Sequence, residues 1–306
     1  MAKELKLSVS PHIHSGISTR RIMLDVLIAL LPATAAGAVI FGLRSLLVVA
    51  VTVAACVGFE ALFNLLAKKP IPVGDFSAAV TGLLLALNLP ANVPLWQCVV
   101  GALFAMVVVK GLFGGLGANP VNPAITARVF MLVAFSTMTK AAFPVDSVSS
   151  ATPLASEEAT SLMDLFLGNH GGAIGETCAA ALLLGGLYLL VRRVITWQIP
   201  VAFVGTVFLT SFLMEGMDAT AALAAILSGG LLIGAIFMAT DYVSSPATPW
   251  GKIIFGLGAG LVTFLIRYFG VYPEGVSFAI LLMNILTPYI NSWTKRKVFG
   301  IGGTKA

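Results

Sequence analysis

The residues of this chain that could do chemistry are few, and they gather in polar breaks between long apolar runs. The longest break holds Asp146-Ser147-Val148-Ser149-Ser150-Ala151-Thr152-Pro153-Leu154. It offers a carboxylate at Asp146 and hydroxyls at Ser149 and Thr152, and a hydroxyl can be joined to phosphate as an ester once a metal neutralises the charge. A second break runs from Gly114 to Ala124 as GGLGANPVNPA. It cannot continue a helix, because its glycines permit positive φ and its prolines lack the amide donor. Within it, Asn119 and Asn122 each carry donors and an acceptor, suited to the edge of a polar ring or a chain of hydroxyls. The same asparagines would serve as turn residues bonded to their own backbone. A third break, Met238 to Pro249, holds Asp241, which suits either a ligand or cation, or the capping of the next helix. Arg128 follows Asn122 by six residues and suits a ring or phosphate, or a snorkelling role.

Two carboxylates, Asp25 and Glu60, interrupt apolar runs, where charge is expensive and marks a cavity or a partner. Asp25 lies near the end of its run. Glu60 lies deeper, and suits an ion path, support of a cofactor, or an interhelical hydrogen bond. His12, His14 and His170 are scattered, and Cys56, Cys98 and Cys178 form no CxxC pair. No metal site and no catalytic acid–base pair is expected, and the cysteines read as buried thiols. Neither a phosphate-binding loop nor a nucleophile elbow is present.

The elements that must position these residues are membrane helices. Of 306 residues, 58% are hydrophobic and 10% charged, and mean hydropathy is +0.99, against roughly a quarter charged in soluble domains. The net charge of +5 forms no patch for nucleic acid, because the basic residues flank apolar runs. The polar start, Met1 to Lys6, leads into no early apolar run, so no cleaved signal is expected. Ten spans are expected, near 22–42, 46–66, 76–90, 93–113, 124–139, 174–191, 198–214, 220–238, 252–269 and 276–292. With both termini inside, all 18 Lys and Arg residues fall on the inner side except Arg44, Lys140 and Arg267, as the positive-inside bias requires. The break 140–173 then lies outside.

The two halves echo one another. Thr81-Gly82-Leu83-Leu84, a Pro-rich break and Pro94-Leu95-Trp96 find a counterpart in Ser228 to Leu232, a second Pro-rich break and Pro249-Trp250. Lys110 to Gly114 is echoed by Arg267 to Gly270. Five spans per half makes the second copy inverted. The expected fold is an all-α integral membrane protein of about ten transmembrane helices, in two inverted five-helix repeats with broken helices. Residues 1–139 form the first repeat, 140–173 an outer loop, and 174–306 the second repeat.

Asp146, Ser149, Ala151 and Thr152 match a pattern, Asp-x-x-Ser/Thr-Gly-Ala-Thr/Ser, at which a flavin transferase esterifies FMN to a hydroxyl. Ser150 departs from it, standing where Gly is usual. With Ser10-Pro11-His12-Ile13, the Gly114–Ala124 turn, Ala239-Thr240-Asp241 and Tyr272-Pro273-Glu274-Gly275, the chain resembles the family of the D subunit of the Rnf electron-transport complex. It is similar, less closely, to the B subunit of the sodium-translocating NADH:quinone reductase, whose members usually have a longer N-terminal extension.

That resemblance implies FMN covalently bound at Thr152 and a second, non-covalent flavin (riboflavin) near Thr81, Asn119 and Asn122. It implies an electron-relaying subunit of a ferredoxin:NAD oxidoreductase that moves sodium ions or protons across a bacterial cytoplasmic membrane. The implied partners are the other Rnf subunits, one of them a second covalent-FMN subunit, together with a flavin transferase and membrane lipid. Glu60 or Asp25 is expected to respond electrostatically to reduction of the flavin. A small-solute channel or transporter without a redox cofactor explains the architecture but gives Asp146–Thr152 no role.

Overall fold

With so little charge, helix is the way most of this backbone can satisfy its own polar groups inside a membrane. The computed structural model describes residues 18–70, 72–139, 161–270 and 275–295, and these are helical with no strand among them. In order they are α1 (Thr19–Phe41), α2 (Leu43–Leu66), α3 (Ser77–Leu87), α4 (Leu95–Leu103), α5 (Pro123–Ala134), α6 (Leu162–Leu167), α7 (Ala179–Val191), α8 (Gln198–Met214), α9 (Ala219–Leu227), α10 (Leu231–Ile233), α11 (Pro249–Phe269) and α12 (Val276–Thr294). Helix α4 continues in π-helical form over Phe104–Gly111, and α10 over Gly234–Met238.

Each expected segment contains a helix, but lengths differ. By length and composition α1, α2, α11 and α12 are long and apolar enough to cross a bilayer, and the bent pair α9–α10 would make a fifth. The apolar helices α3, α4, α5, α7 and α8 are shorter than the roughly 20 residues a straight crossing needs. The segment expected at 174–191 becomes helical only at Ala179, because the preceding loop spends its amides elsewhere. Ile174 N donates to the Leu89 carbonyl (3.0 Å) and Gly175 N to that of Leu87 (2.7 Å). The segment expected at 124–139 leaves the α-helix at Phe135, whose backbone is extended. Asp146, Ser149, Ala151 and Thr152 lie outside the described residues.

Helices α1 and α7 pack on each other through small residues. Ala29, Ala33 and Gly37 recur every fourth residue on α1; Gly185 of α7 lies against the Ala29 carbonyl, and Gly37 against Ile174 in the loop before α7. Such stripes let helix backbones approach where no hydrophobic effect drives association. Helices α8 and α11 make a comparable seam, with Gly256 and Gly260 against Ala202, Phe203 and Thr206.

Two inner helices, α3 and α10, each start at a left-handed residue after a break in the chain. Helix α3 follows Phe76, which is left-handed at φ 64°, ψ 6°. Helix α10 follows Gly230 at φ 67°, ψ 10°, after a 66° bend from α9. At the first break, Asp75 Oδ1 accepts from Ser77 N and Ser77 Oγ, both at 2.7 Å. A basic side chain from a later helix holds each break. Lys110 Nζ donates to Ser77 Oγ (2.7 Å) and pairs with Glu60 Oε1 (2.6 Å). Arg267 donates to the carbonyls of Ala225 (2.6 Å), Ser228 and Gly229 (both 3.1 Å). The far ends of the two inner helices meet, with Asn88 Nδ2 donating to Leu84 O (2.7 Å) and lying 3.3 Å from Met238 Sδ.

Candidate functional site

A cavity open to the surface lies beside the meeting point of α3 and the π-helical end of α10. Thr81, Asn119, Asn122 and Asp241 all line it, although they come from three separate stretches of the chain. Its apolar wall includes Met23 and Val26 of α1, Leu189 of α7 and Phe237. Both π-helical segments border it, through Lys110 and Phe237. Extra-residue turns of this kind re-aim side chains and are frequent at functional sites.

Asn122 is placed by its own cap. Its Oδ1 accepts from Ala124 N (3.0 Å) and Ile125 N (3.4 Å), and Pro123 at the first helical position has no amide to satisfy. Its Nδ2 donates to the Met238 carbonyl (3.1 Å), joining the Gly114–Ala124 break to the end of α10. Asn122 therefore does both the capping expected of a turn asparagine and a long-range tie. Asn119 donates from Nδ2 to Val121 O (2.9 Å), and Thr81 Oγ1 donates to Ser77 O (3.0 Å). These bonds leave the Asn119 oxygen and the Thr81 lone pairs able to accept. Asp241 Oδ2 accepts from Ser244 Oγ (2.7 Å), which ties it into the turn before α11.

Arg128 is not part of this cavity. It is 6% exposed, and its Nη1 donates to the Asn88 carbonyl and, at 3.3 Å, to Asn88 Oδ1. It borders a separate, much smaller space beside Gly229, Gly230 and Ser277. Of the two intramembrane carboxylates, Asp25 is engaged at the α1–α7 seam, accepting from Tyr188 Oη (3.0 Å) and Arg192 Nη2 (3.2 Å). Glu60 instead pairs with Lys110, which lines the cavity.

Lys110 and Ser77 are the functional groups that the sequence pattern did not single out. A lysine near the end of an apolar run reads first as a marker of orientation. The signal that could have found it is Glu60, a deep carboxylate that needs a partner. Among the described residues there is no cluster of three or more His, Cys, Asp or Glu able to hold a metal.

Replacing Asn122 by Ala is expected to cost about 1–2 kcal/mol for the cap alone, and more because the Met238 carbonyl loses its donor. Asn122→Ser keeps a capping oxygen but not the Nδ2 donor, and should lose less. Thermal unfolding in detergent ranks the two; equal losses would mean that the tie to Met238, and not the cap, carries the effect.

A family model described as the NQR2, RnfD, RnfE family matches residues 6–300. The chain is 48% identical to the D subunit of the Na(+)-translocating ferredoxin:NAD(+) oxidoreductase complex of Acetobacterium woodii, over 97% of this chain and 96% of that one. It is 40% identical to the D subunit of the proton-translocating ferredoxin:NAD(+) oxidoreductase complex of Clostridium ljungdahlii, over 96% of each. A third relative, the D subunit of the ion-translocating oxidoreductase complex of Stutzerimonas stutzeri, is 38% identical over 92% of each. Similarity of this depth along almost the whole chain makes it a member of the NQR2, RnfD, RnfE family.

Proposed function

We propose that this chain is the membrane flavoprotein subunit of an ion-translocating ferredoxin:NAD oxidoreductase complex. Its FMN is esterified to Thr152, and a second, non-covalent flavin occupies the cavity. The observation that carries the reading is the convergence of Thr81, Asn119, Asn122 and Asp241 on one cavity. Relatives named as the D subunits of such complexes support it along the full length. The residues present fit a flavin. The apolar wall suits an aromatic ring, the Asn119 oxygen and the Thr81 hydroxyl can accept from its edge, and Lys110 can face its electron-rich side. The flavin supplies one-electron chemistry when bound. The chain's part is to hold it, exclude water and set the charge around it.

The shared devices of the two halves support an inverted repeat of five helices each. In both, a left-handed residue starts the inner helix, and a basic side chain from a later helix holds the break. Short helices that do not span alone are tolerated where broken backbone is buried in protein or lines a cavity, so the ten-span reading accommodates α3 to α5, α7 and α8. The positive-inside bias puts the cavity mouth toward the cytoplasm and the Thr152 segment outside. The partners in this reading are the remaining subunits of the complex, one of them a second covalent flavoprotein, and a flavin transferase. The transported ion is sodium or the proton, the two ions that appear in the relatives' names.

The test is flavin fluorescence of the denatured polypeptide in a gel, for the wild type and Thr152→Ala, each co-expressed with a flavin transferase. A fluorescent wild-type band and a dark mutant band are expected. Dark bands in both, with an active transferase, would favour a transporter without a redox cofactor, which also explains broken helices around a cavity.

A further inference from the structure

One side chain belongs to two cavities. Lys110 lines the large cavity, and it also lines a much smaller space with Glu60, Asn64 and Lys69. Glu60 lines only the smaller space. Lys110 and Glu60 are 3% and 4% exposed, and their contact is 2.6 Å. Glu60 Oε2 is buried and has no hydrogen-bond partner among the described residues. The ammonium is therefore the nearest compensation for a deep carboxylate, and it also stands at the wall of the proposed flavin site.

We propose that Lys110 is a shared cation that couples charge in the large cavity to cation uptake at Glu60. While the cavity is uncharged, Lys110 neutralises Glu60. Negative charge arriving in the cavity competes for the ammonium, which is already held toward that side by Ser77 Oγ at 2.7 Å. Glu60 then has a buried carboxylate without its counter-ion, a state that proteins relieve by protonation or by another cation. It takes one proton or one sodium ion from the smaller space. The charges balance. One electron enters from a reduced iron–sulfur donor of the ferredoxin class, one monovalent cation enters at Glu60, and the buried region keeps its net charge.

The surrounding ionisable groups leave Lys110 as the link. Asp75 is engaged by Ser77 N and Oγ. Cys56 precedes Glu60 by one turn of α2 and is buried. Lys69 is exposed on the smaller space, and Asp241 lies on the large cavity in contact with Ser244. Asp25 is held by Tyr188 and Arg192 away from both spaces.

The inference rests on the reading that a flavin occupies the large cavity, and its test separates the two. The full chain carrying Thr152→Ala, so that no esterified FMN contributes, is purified and loaded with riboflavin. Its midpoint potential is followed by absorbance, first with sodium varied at fixed pH and then with pH varied at fixed sodium. The same titrations are run with Glu60→Leu/Lys110→Met added, a pair of changes that leaves no unpaired charge. The expected result is a potential that rises with sodium or proton concentration, by up to about 59 mV for each tenfold change in full one-electron linkage. The added pair should abolish the sodium slope, or remove one proton's share of the pH slope. Equal slopes with and without the pair would overturn the proposal, as would a parent protein insensitive to both ions. Loss of all flavin absorbance after gel filtration, from both proteins, would instead remove the cofactor reading beneath it.

Discussion

Lys110→Met should destabilise the folded protein by about 3–5 kcal/mol, the cost of leaving one member of a buried ion pair without the other. Both side chains are almost inaccessible, and Glu60 Oε2 already lacks a partner, so losing the ammonium strips the carboxylate of its nearest compensation. The second change is the informative one. In Glu60→Leu/Lys110→Met the charge is gone from both sides, and well-packed apolar replacements of buried pairs are often neutral or stabilising. The double variant should therefore recover most of the loss. Arg192→Met is the contrast, because Arg192 is 39% exposed where it meets Asp25, and solvent screens such a pair. Unfolding by denaturing detergent in mixed micelles orders the four proteins. A double variant as unstable as Lys110→Met would mean that the lysine stem, not the ion pair, holds this region.

Gly185→Ala is the second large effect. A Cβ at Gly185 would collide with the Ala29 carbonyl oxygen, and backbone cannot swing aside as a side chain can. The α1–α7 seam must open, at about 1–3 kcal/mol or more. The consequence reaches function, because α1 supplies Met23 and Val26 and α7 supplies Leu189 to the cavity wall. Gly205→Ala on α8 is the control, with nothing within 4 Å of its new methyl and up to about 1 kcal/mol of helix propensity to gain. Flavin retained after gel filtration should fall for Gly185→Ala and stay unchanged for Gly205→Ala. Equal retention would disconnect the seam from the cavity.

Much of this was legible in the residues, and the gaps have physical causes. The apolar runs announced the helices because a membrane chain must pair its amides locally. The Asn-Pro pairs at 119–123 announced a break, because proline cannot continue a helix, whereas the bend at Gly229–Gly230 falls inside the single span expected at 220–238. What stayed hidden depends on contacts between distant segments. The late start of α7 follows from amides of Ile174 and Gly175 reaching Leu89 and Leu87. The placement of Arg128 follows from the Asn88 carbonyl 40 positions earlier. Depth already set Glu60 apart from Asp25, but the partner of each, Lys110 or Tyr188 and Arg192, was not legible. The four cavity residues could be named singly, but nothing in their spacing says that they face one space.

The two breaks also differ in what they can sense. Arg267 clamps its break by gripping peptide oxygens, and a peptide oxygen has the same charge whatever the solution or the redox state. Lys110 clamps its break while paired with a carboxylate, whose charge can change. In the proposed inverted repeat, one fastener grips only peptide oxygens and the other shares its charge with a neighbouring carboxylate. Two identical fasteners would leave the two breaks equivalent; these two do not.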